Sequence, residues 1–587
     1  MSSPQVLIVG AGPCGLAAAL VLRKNGIAVR LIEKALDYQI GVRGNGIQPR
    51  ILELFKILGL VADIFDNSIE PPQMRAYDGK TVIRTWDFGV KEPETPQVPY
   101  PNPRILGQST TEAILRSHLS QLGVTVELGT ELVDFTQDAH KVTTNLLKRD
   151  KSGSSENETL EVDWVIGADG ARGITRKHLG INFWGETLEK QAFLVADVEM
   201  EGVDRQYWAA YGNAATGFVM ALPLGPAPHF SVVGSGTPEE IQKVVDGDFD
   251  AFKAYLSKIM KDDSVVLTKR KWVSYFRPNI RCADKFNIGR VFIAGDGAHV
   301  HSPMGGQGLN SSVQDSVNLA WKLSLVVKNL SPRSLLSTYE TERMPPIKEM
   351  LKLTTNLHTQ SMSDRDLASK DTSQSVNPGF VREHIFKQLG VNYQWSEIVL
   401  DQRLDRKKSI KVGNKVYTPY GKDDEPIQAG DRAPDAPNLV PVAAEPTITT
   451  TLFDLLTPFA HTALVFELPQ SPAGTEPPSP ASTTKDILAA LGKYNKDGHR
   501  LVDSYLILPE NTPDAGSGRV VEGVNRVLVD TQGHARRAYD VDATQALKAL
   551  PSVIIIRPDT YIGAFVHDAE GVEKYFSKSL SSLFVAV

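Results

Sequence analysis

The sequence predicts a mixed α/β protein with a largely parallel, helix-covered sheet, an inserted antiparallel sheet and a further carboxyl-terminal unit. Three observations support this prediction. A β-branched run near the start turns through glycines into an apolar helical pattern, two later apolar runs end in aspartate, and short strands separated by turn residues lie between those two runs. The chain has 587 residues, too many for one hydrophobic core, so we expect roughly three or four structural units.

Composition restricts the partners that the protein can have. Hydrophobic residues make up 41% and charged residues 22%, the net charge is −6, and no basic tract is present, so we predict no nucleic-acid partner. The start lacks a signal-peptide pattern and no apolar run reaches the roughly 18 residues that span a bilayer, which predicts a cytoplasmic protein without membrane contact. Cys14 and Cys282 are too few for a disulfide framework or a cysteine-based zinc site.

The first strand, helix and following strand carry a phosphate-binding pattern. The segment QVLIVGAGPCGLAAALVLRKNG places Gly10, Gly12 and Gly15 between a strand and a helix, where the backbone can approach a pyrophosphate. Packing of helix on strand also favours small residues, so the glycines alone leave a structural role open. Glu33 ends the next apolar run, where a carboxylate binds a ribose hydroxyl and disfavours a 2′-phosphate. The pattern does not separate NAD from FAD.

Two later apolar runs also end in aspartate. Asp169 follows the run 165–168 in VDWVIGADGARG, and Asp296 follows the run 291–294 in RVFIAGDGAH. Continuous apolar strands belong in a sheet covered on both faces, and ligands of such sheets lie beyond the carboxyl ends of the strands. Either aspartate could instead be a turn or helix cap. Three strand ends of this kind in one chain favour a long cofactor.

The glycine-rich stretch after Asp296 leads into a helix with apolar spacing. Gly306 allows close approach, and the amino end of the helix, near Gly308, Leu309 and Asn310, offers free N–H groups and a partial positive charge that suit an anion.

Two histidines lie in the same stretch and raise the alternative of a metal site. His299 and His301 lie close to Asp296, but no cysteine is nearby and no HExxH-type pairing exists. We therefore predict no metal and interpret both histidines as packing or hydrogen-bonding residues.

Together, GAGPCG with Glu33, Arg43, GQSTTEAILR, GADGARG and GDGAHVHSPMGGQGLN resemble the single-component FAD-dependent aromatic hydroxylases of the p-hydroxybenzoate hydroxylase and phenol hydroxylase type. The resemblance implies an FAD cofactor held by residues spread over these motifs. It assigns the adenosine ribose to Glu33, the middle of the cofactor to Arg43 and Gln108, the shared FAD and nicotinamide motif to Asp169, the ribityl chain to Asp296, and the flavin ring to Gly308, Leu309 and Asn310. A helix start beside the ring would favour the negative charge of the reduced flavin.

The carboxyl-terminal part carries a second resemblance. AGDRAPDAPNL, LFDLL and IIIRPDTYIGAF resemble the thioredoxin-like domain of the phenol hydroxylase branch. No CxxC pair is present, so dithiol exchange is excluded and a structural or subunit-contact role is expected, with a homodimer as the predicted assembly. The implied boundaries are 1–75, 100–185 and 284–400 for the FAD-binding domain, 76–99 and 186–283 for the substrate-binding sheet, and 411–587 for the thioredoxin-like domain.

The inserted strands AFLVADVEM, QYWAAYGN, GFVMALPLG and HFSVVGSG predict an antiparallel sheet. The resemblance implies that this sheet covers the substrate on one side of the flavin. Its candidate pocket residues are Tyr207, Trp208, Tyr211, Phe218 and Met220, for which plain sheet core or a subunit surface stays an equal alternative.

The resemblance also implies a reaction in which NADPH or NADH reduces FAD, and O2 forms a flavin C4a-hydroperoxide that passes one oxygen to an electron-rich ring. Asn45 stands where the phenol hydroxylase branch has an aspartate, and an amide cannot act as a carboxylate base. Tyr211, His229 and Tyr275 are the alternative candidates for a base, and Pro303 opens the segment that would contact the ring. The substrate could otherwise be acidic or reactive by itself.

We predict hydroxylation of a phenolic or polyketide-like aromatic substrate. Baeyer–Villiger oxidation or epoxidation on the same scaffold stays open, because a flavin peroxide can also act as a nucleophile. A catalytically inactive FAD-binding scaffold is the alternative from a different class. The preference between NADH and NADPH is not readable from the sequence.

Overall fold

The structure is a computed structural model whose described residues form three sheets of six or seven strands. It describes residues 4–189, 191–213, 216–302, 305–362, 384–404, 418–421, 425–442, 449–467, 484–495, 498–510, 521–541 and 552–580. Pro303 lies outside these residues.

The strands are numbered in chain order. Those of the amino-terminal part are β1 (Val6–Val9), β2 (Val29–Glu33), β3 (Gly46–Ile47), β4 (Met74–Asp78), β5 (Thr81–Trp86), β6 (Arg104–Ile105), β7 (Val126–Leu128), β8 (Thr130–Gln137), β9 (Val142–Arg149), β10 (Ser155–Val162) and β11 (Trp164–Gly167). The middle strands are β12 (Phe183–Thr187), β13 (Ala192–Glu201), β14 (Trp208–Asn213), β15 (Gly217–Pro223), β16 (His229–Gly236), β17 (Val266–Phe276), β18 (Asn279–Ala283), β19 (Asn287–Ile288), β20 (Val291–Ile293) and β21 (His299–Val300). The last are β22 (Leu400–Asp401), β23 (Leu439–Pro441), β24 (His461–Phe466), β25 (Val502–Leu508), β26 (Arg526–Asp530), β27 (Ser552–Ile556) and β28 (Ile562–Val566).

The helices are numbered in the same way. They are α1 (Pro13–Lys24), α2 (Pro49–Leu58), α3 (Val61–Asn67), α4 (Gln108–Gln121), α5 (Ile174–His178), α6 (Pro238–Asp246), α7 (Phe249–Met260), α8 (Gly308–Val327), α9 (Ser337–Met362), α10 (Leu452–Leu455), α11 (Thr484–Gly492), α12 (His534–Ala538) and α13 (Ala569–Ser579). Short 3₁₀ turns occupy Gly295–Gly297, Arg333–Leu336 and His384–Lys387. Among the described residues, no helix is both long and apolar enough to cross a membrane.

The first sheet has the strand order β19-β20-β11-β1-β2-β7, and its four central strands run parallel. All four residues of β1 are buried, because Val6 and Ile8 face one hydrophobic cluster while Leu7 and Val9 face another. The predicted parallel sheet with both faces covered is therefore confirmed. The carboxyl ends of β1, β11 and β20 meet at one edge, which brings the glycine and aspartate motifs together.

The second sheet has the order β17-β13-β16-β15-β14-β4-β5 and is antiparallel except where β14 runs parallel to β4. Its outer face packs against α6 and α7, in a cluster with Phe252 and Tyr255. Its inner face packs toward the first unit, in a cluster that contains Val42 and Ile105. The inner face is thus the side of the sheet that meets the cofactor-binding unit.

The third sheet has the order β22-β28-β27-β24-β25-β26-β23 and mixes parallel and antiparallel pairs. It is attached to α2 of the first unit through polar contacts, in which Arg50 donates to Thr560 Oγ1 at 2.7 Å and Arg432 donates to Glu53 Oε1 at 2.8 Å. β22, which lies before residue 411, pairs with β28 of this sheet, and the predicted domain boundaries stay predictions. The thioredoxin-like character of 411–587 stays a prediction.

Candidate active site

The three glycines that follow β1 differ in how much space surrounds them. Gly10 has a φ of +100°, and a Cβ there would lie 2.4 Å from the Ala168 carbonyl oxygen. A Cβ on Gly15 would lie 1.9 Å from the Gly10 oxygen, so this glycine permits the close packing of α1 on the strand. A Cβ on Gly12 would meet no atom within 4 Å. The space in front of the amino end of α1 therefore fits the pyrophosphate of the predicted dinucleotide cofactor.

Glu33 lies next to this turn and is oriented by it. Its Oε2 atom accepts the N–H of Ala11 at 3.1 Å, and its Oε1 atom accepts the N–H of Ala35 at 3.0 Å. The residue is only half-buried, so lone pairs stay open to a ligand. This arrangement fits the predicted contact with a ribose hydroxyl.

Asp169, at the end of β11, presents an unpaired oxygen. Its Oδ2 atom accepts from both the amide and the hydroxyl of Thr175 at 2.9 Å. Its Oδ1 atom is buried and has no hydrogen-bond partner among the described residues. Buried polar atoms are nearly always paired, so this oxygen fits a donor from a bound molecule.

Asp296 lies in the 3₁₀ turn Gly295–Gly297 that follows β20. Its side chain is exposed to water, yet surrounding protein raises its pKa, while the charges of His299 and Arg43 act in the opposite direction. The Asp296 carboxylate is therefore accessible to a bound molecule. The position fits the predicted contact with the ribityl hydroxyls.

The start of α8 leaves backbone donors free of side-chain caps. Asn310 uses its side chain within the protein, because Oδ1 accepts the N–H of Gln48 at 2.8 Å and Nδ2 donates to the oxygens of Gly46 at 2.8 Å and Gly306 at 2.6 Å. The side chain thus fixes the glycine-rich turn against the segment before α2. Among the predicted flavin contacts of Gly308, Leu309 and Asn310, the backbone N–H groups are the available donors.

A buried carboxylate behind the site holds the turn and the helix together. Asp315 accepts the N–H of Gly295 at 3.1 Å, contacts His299 Nε2 at 2.6 Å and accepts from Arg343 Nε at 2.7 Å. The charges of His299 and Arg343 lower the pKa of the Asp315 carboxyl. His299 is therefore a hydrogen-bonding residue of the core, and the described part of the chain contains no group of three or more side chains suited to a metal.

Sequence reasoning missed Asp315 and Arg343. A signal for Asp315 was available, since it is a charged residue in the middle of the apolar pattern of α8. Arg343 carried no comparable signal, because its partner is distant in sequence.

Arg43 and Gln108 lie on two segments that touch. The Gln108 N–H donates to the oxygens of Val42 at 3.0 Å and Gly44 at 2.8 Å, which places the segment of Arg43 against the start of α4. Arg43 is exposed, with a hydrogen bond of 2.7 Å to Gln39. Asn45 lies in the same segment and is half-buried. Arg43 and Gln108 thus lie close to each other, and their contact with the cofactor stays a prediction.

The second sheet separates the predicted pocket residues between its two faces. Trp208, Phe218 and Met220 lie on the inner face, in one cluster with Val42. Tyr211 lies on the outer face, with its ring centroid 5.0 Å from that of Tyr77. Tyr211 therefore lies on the side of the sheet away from the cofactor-binding unit, because successive residues of a strand point to opposite sides. Its pocket and catalytic roles stay predictions that this placement does not favour.

The remaining candidates of this sheet are also dispersed. Tyr275 packs against the outer-face cluster and accepts from Arg277 Nη2 at 2.9 Å, so its predicted role as a base is not favoured by its placement and stays a prediction. Tyr207 lies beneath the guanidinium of Arg75, 3.2 Å from the ring centroid. His229 begins β16 opposite Glu199, and burial lowers its pKa.

One residue of the inner face was missed entirely. Asp197 is a buried acid in β13, and its Oδ2 atom accepts the N–H of Val42 at 2.9 Å. The signal in the sequence was a carboxylate within the apolar strand AFLVADVEM.

Comparison with known proteins identifies the family to which the chain belongs. Residues 3–354 match a family model described as an FAD binding domain. The chain belongs to the FAD-dependent monooxygenase family. It is 34% identical to a flavin-dependent monooxygenase of Mycobacteroides abscessus over 438 residues, covering 73% of this chain and 83% of that protein. It is 28% identical to pentachlorophenol 4-monooxygenase of Sphingobium chlorophenolicum over 562 residues, covering 95% and 93%.

Solved structures show the same fold along nearly the whole monooxygenase chain. The flavin-dependent monooxygenase PieE, solved with FAD and substrate, superposes with a TM-score of 0.75 at 20% identity, covering 98% of each chain. Aklavinone-11 hydroxylase, solved with FAD and aklavinone, superposes with a TM-score of 0.71 at 22% identity, covering 98% of this chain and 99% of that one. The predicted family, fold class and FAD cofactor are confirmed, while the roles of individual residues stay predictions.

Proposed function

We propose that this monooxygenase hydroxylates a phenolic or polyketide-like aromatic compound, using O2 and either NADH or NADPH. The observation that supports the proposal best is the inner face of the second sheet, where the buried side chains of Trp208, Phe218 and Met220 form an apolar, aromatic face that packs in one cluster with Val42 of the cofactor-binding unit. Flat apolar rings bind to such surfaces with large buried area and few polar demands. A phenol-acting relative, pentachlorophenol 4-monooxygenase, and the 6-methylpretetramide 4-monooxygenase of Streptomyces rimosus, 34% identical over 349 residues, favour this substrate class.

The residues of the first unit would hold FAD along the edge where three strands end. The open space at Gly12 would accept the pyrophosphate, Glu33 would bind the ribose, and Asp296 would bind the ribityl chain. Bound FAD, reduced by NADH or NADPH, would activate O2, which supplies one oxygen atom to the substrate and releases the other as water. The first N–H groups of α8 carry a partial positive charge and stabilise negative charge on the ring.

The chain offers few candidates for removing the phenolic proton. Asn45 is an amide, and Tyr211 and Tyr275 lie on the outer face of the sheet. Burial lowers the pKa of His229, and this residue lies at the start of β16 opposite Glu199. We therefore propose a substrate acidic enough to react without a strong dedicated base.

The alternatives are separated by the product. Baeyer–Villiger oxidation or epoxidation inserts or bridges oxygen without leaving a new phenolic hydroxyl, and an inactive scaffold gives no product. The homodimer and the cytoplasmic location stay predictions of the sequence.

The experiment uses the purified, FAD-loaded protein with a panel of phenols and polycyclic phenols. We expect substrate-stimulated oxidation of NADH or NADPH, and a product that carries one ¹⁸O atom as a new hydroxyl after reaction under ¹⁸O2. A lactone or epoxide would replace hydroxylation with an alternative oxygenation. Absence of stimulated oxidation across the panel would favour the scaffold.

A further inference from the structure

The segment 41–45 is held from two sides by hydrogen bonds to the backbone of Val42. The Val42 N–H donates to Asp197 Oδ2 on the inner face of the second sheet, at 2.9 Å. The Val42 carbonyl accepts the N–H of Gln108 at the start of α4, at 3.0 Å. One residue therefore links the cofactor-binding unit to the substrate-side sheet.

The residues on either side of Val42 have restrained conformations. Gly41 has a φ of +111°, and a Cβ there would lie 2.6 Å from the ring of Trp272. Arg43 has a φ of +46°, in the left-handed region, and its guanidinium carbon lies 5.9 Å from the Trp272 ring centroid. A residue with a side chain stays in that region only where its surroundings fix it. Trp272 pairs with Asp197 across β17 and β13, so these two neighbouring side chains together contact the segment 41–45.

Asp197 has features that packing does not explain. It is 5% exposed, its Oδ1 atom has no hydrogen-bond partner among the described residues, and burial raises its pKa to about 6 against the opposing effects of the Val42 N–H and Lys271. A buried carboxyl with an unpaired oxygen costs stability, whereas an aliphatic residue, like others of this face, would not. The hydrogen bond from the Val42 N–H is the contact that explains a carboxylate at this buried position.

We propose that Asp197 is a positioning residue for FAD binding, which holds the segment 41–45 so that Arg43 is preorganised for the cofactor. The proposal depends on the predicted contact between Arg43 and FAD. Without the bond from Val42, the segment relaxes out of its restrained conformation, and binding of FAD must restore that order at a cost in affinity.

The test compares FAD binding by the full chain and its variants. Asp197→Ala and Asp197→Val remove the acceptor, the second with more of the original volume, while Asp197→Asn keeps an acceptor oxygen. The control is Ser231→Ala, because Ser231 is buried and pairs with Asp197 across β13 and β16. Each FAD-free protein is titrated with FAD and followed by flavin fluorescence, and hydrogen exchange is measured over the segment 41–45.

We expect the Kd for FAD to rise about tenfold or more in the alanine and valine variants and to stay within about threefold in the asparagine variant and the control. Exchange at the Val42 amide is expected to speed up in the first two variants alone. If Asp197→Ala does not fold, Asp197→Val decides. Unchanged affinity and exchange in the valine variant would overturn the proposal, and so would an asparagine variant as weak as the valine one. A parent chain that does not bind FAD would instead contradict the proposed function.

Discussion

Glu342 and Arg557 form a fully buried, bidentate ion pair that joins α9 to the unit containing the third sheet. Arg557 Nη1 and Nη2 lie 2.8 Å from the two carboxylate oxygens of Glu342, which also accepts from Lys322 Nζ at 2.7 Å. These cations hold the pKa of the Glu342 carboxyl far below its usual range. Asp559 extends the cluster to the indole N–H of Trp321 in α8, at 3.1 Å. The third unit is thereby tied to the helix whose amino end lies at the candidate flavin site.

The first prediction concerns this ion pair. Arg557→Met leaves the Glu342 carboxylate buried beside fewer cations, so we expect a loss of roughly 3 to 5 kcal/mol in unfolding free energy, and a fall in melting temperature. The matched control is Lys258→Met, which removes the partner of Glu240 in an ion pair at the surface and should cost less than about 1 kcal/mol. Equal melting temperatures for the two variants would show that the third unit does not depend on this pair.

The second prediction separates two glycines of one motif. Gly12→Ala adds a methyl group to open space at a φ of −73°, so the protein should fold with little change in melting temperature but bind FAD at least about tenfold more weakly. Gly15→Ala forces the methyl group against the Gly10 oxygen and should destabilise the FAD-free protein itself. Melting of the FAD-free proteins and FAD titration measure the two effects. Normal FAD affinity in Gly12→Ala would place the pyrophosphate elsewhere.

The third prediction concerns pH and His461. The ring of His461 is buried against Trp321 and Phe576, and burial lowers its pKa to about 3. The folded state therefore resists the proton that an unfolded histidine takes up below roughly pH 6.5, and stability falls as pH drops from there toward 3, by up to about 1.4 kcal/mol per pH unit.

His461→Phe tests this sign, because it removes the titrating group and keeps an aromatic ring. We expect the slope of melting temperature against pH to flatten in this window, whereas the exposed His140→Phe should leave it unchanged. An unaltered slope in His461→Phe would assign the acid sensitivity to other groups.

How far the sequence predicts the site depends on how local each signal is. Gly12, Glu33, Asp169 and Asp296 were predicted because each stands at the end of an apolar strand, and parallel strands bring such ends together whatever the rest of the chain does. The Glu342 and Arg557 pair was not predictable, because no local pattern connects residues that meet only after the units pack.

The side of the sheet on which Tyr211 and Tyr275 lie was not readable from the sequence for a different physical reason. All seven residues of β15 and the first four of β14 are buried, so no alternation of polar and apolar residues reveals which side faces the cofactor-binding unit. On β17 the pairing with β13 contains two register shifts, and each shift breaks the alternation that sequence reasoning would extrapolate. The side of Tyr211 and Tyr275 therefore follows from the assembled sheet.

The last prediction tests which face of the second sheet meets the substrate, by changing one residue on each of the neighbouring strands β14 and β15. Tyr211→Phe removes a hydroxyl on the outer face, so substrate-stimulated oxidation of NADH or NADPH should keep its KM and kcat within about twofold. Met220→Ala shortens an inner-face side chain and should raise the KM for the aromatic substrate about tenfold with a smaller change in kcat, since it removes contact made equally before and during reaction. Steady-state kinetics with one phenolic substrate measure both. A large loss of kcat in Tyr211→Phe would return that tyrosine to the reacting groups and would mean that β14 presents its other side to the substrate.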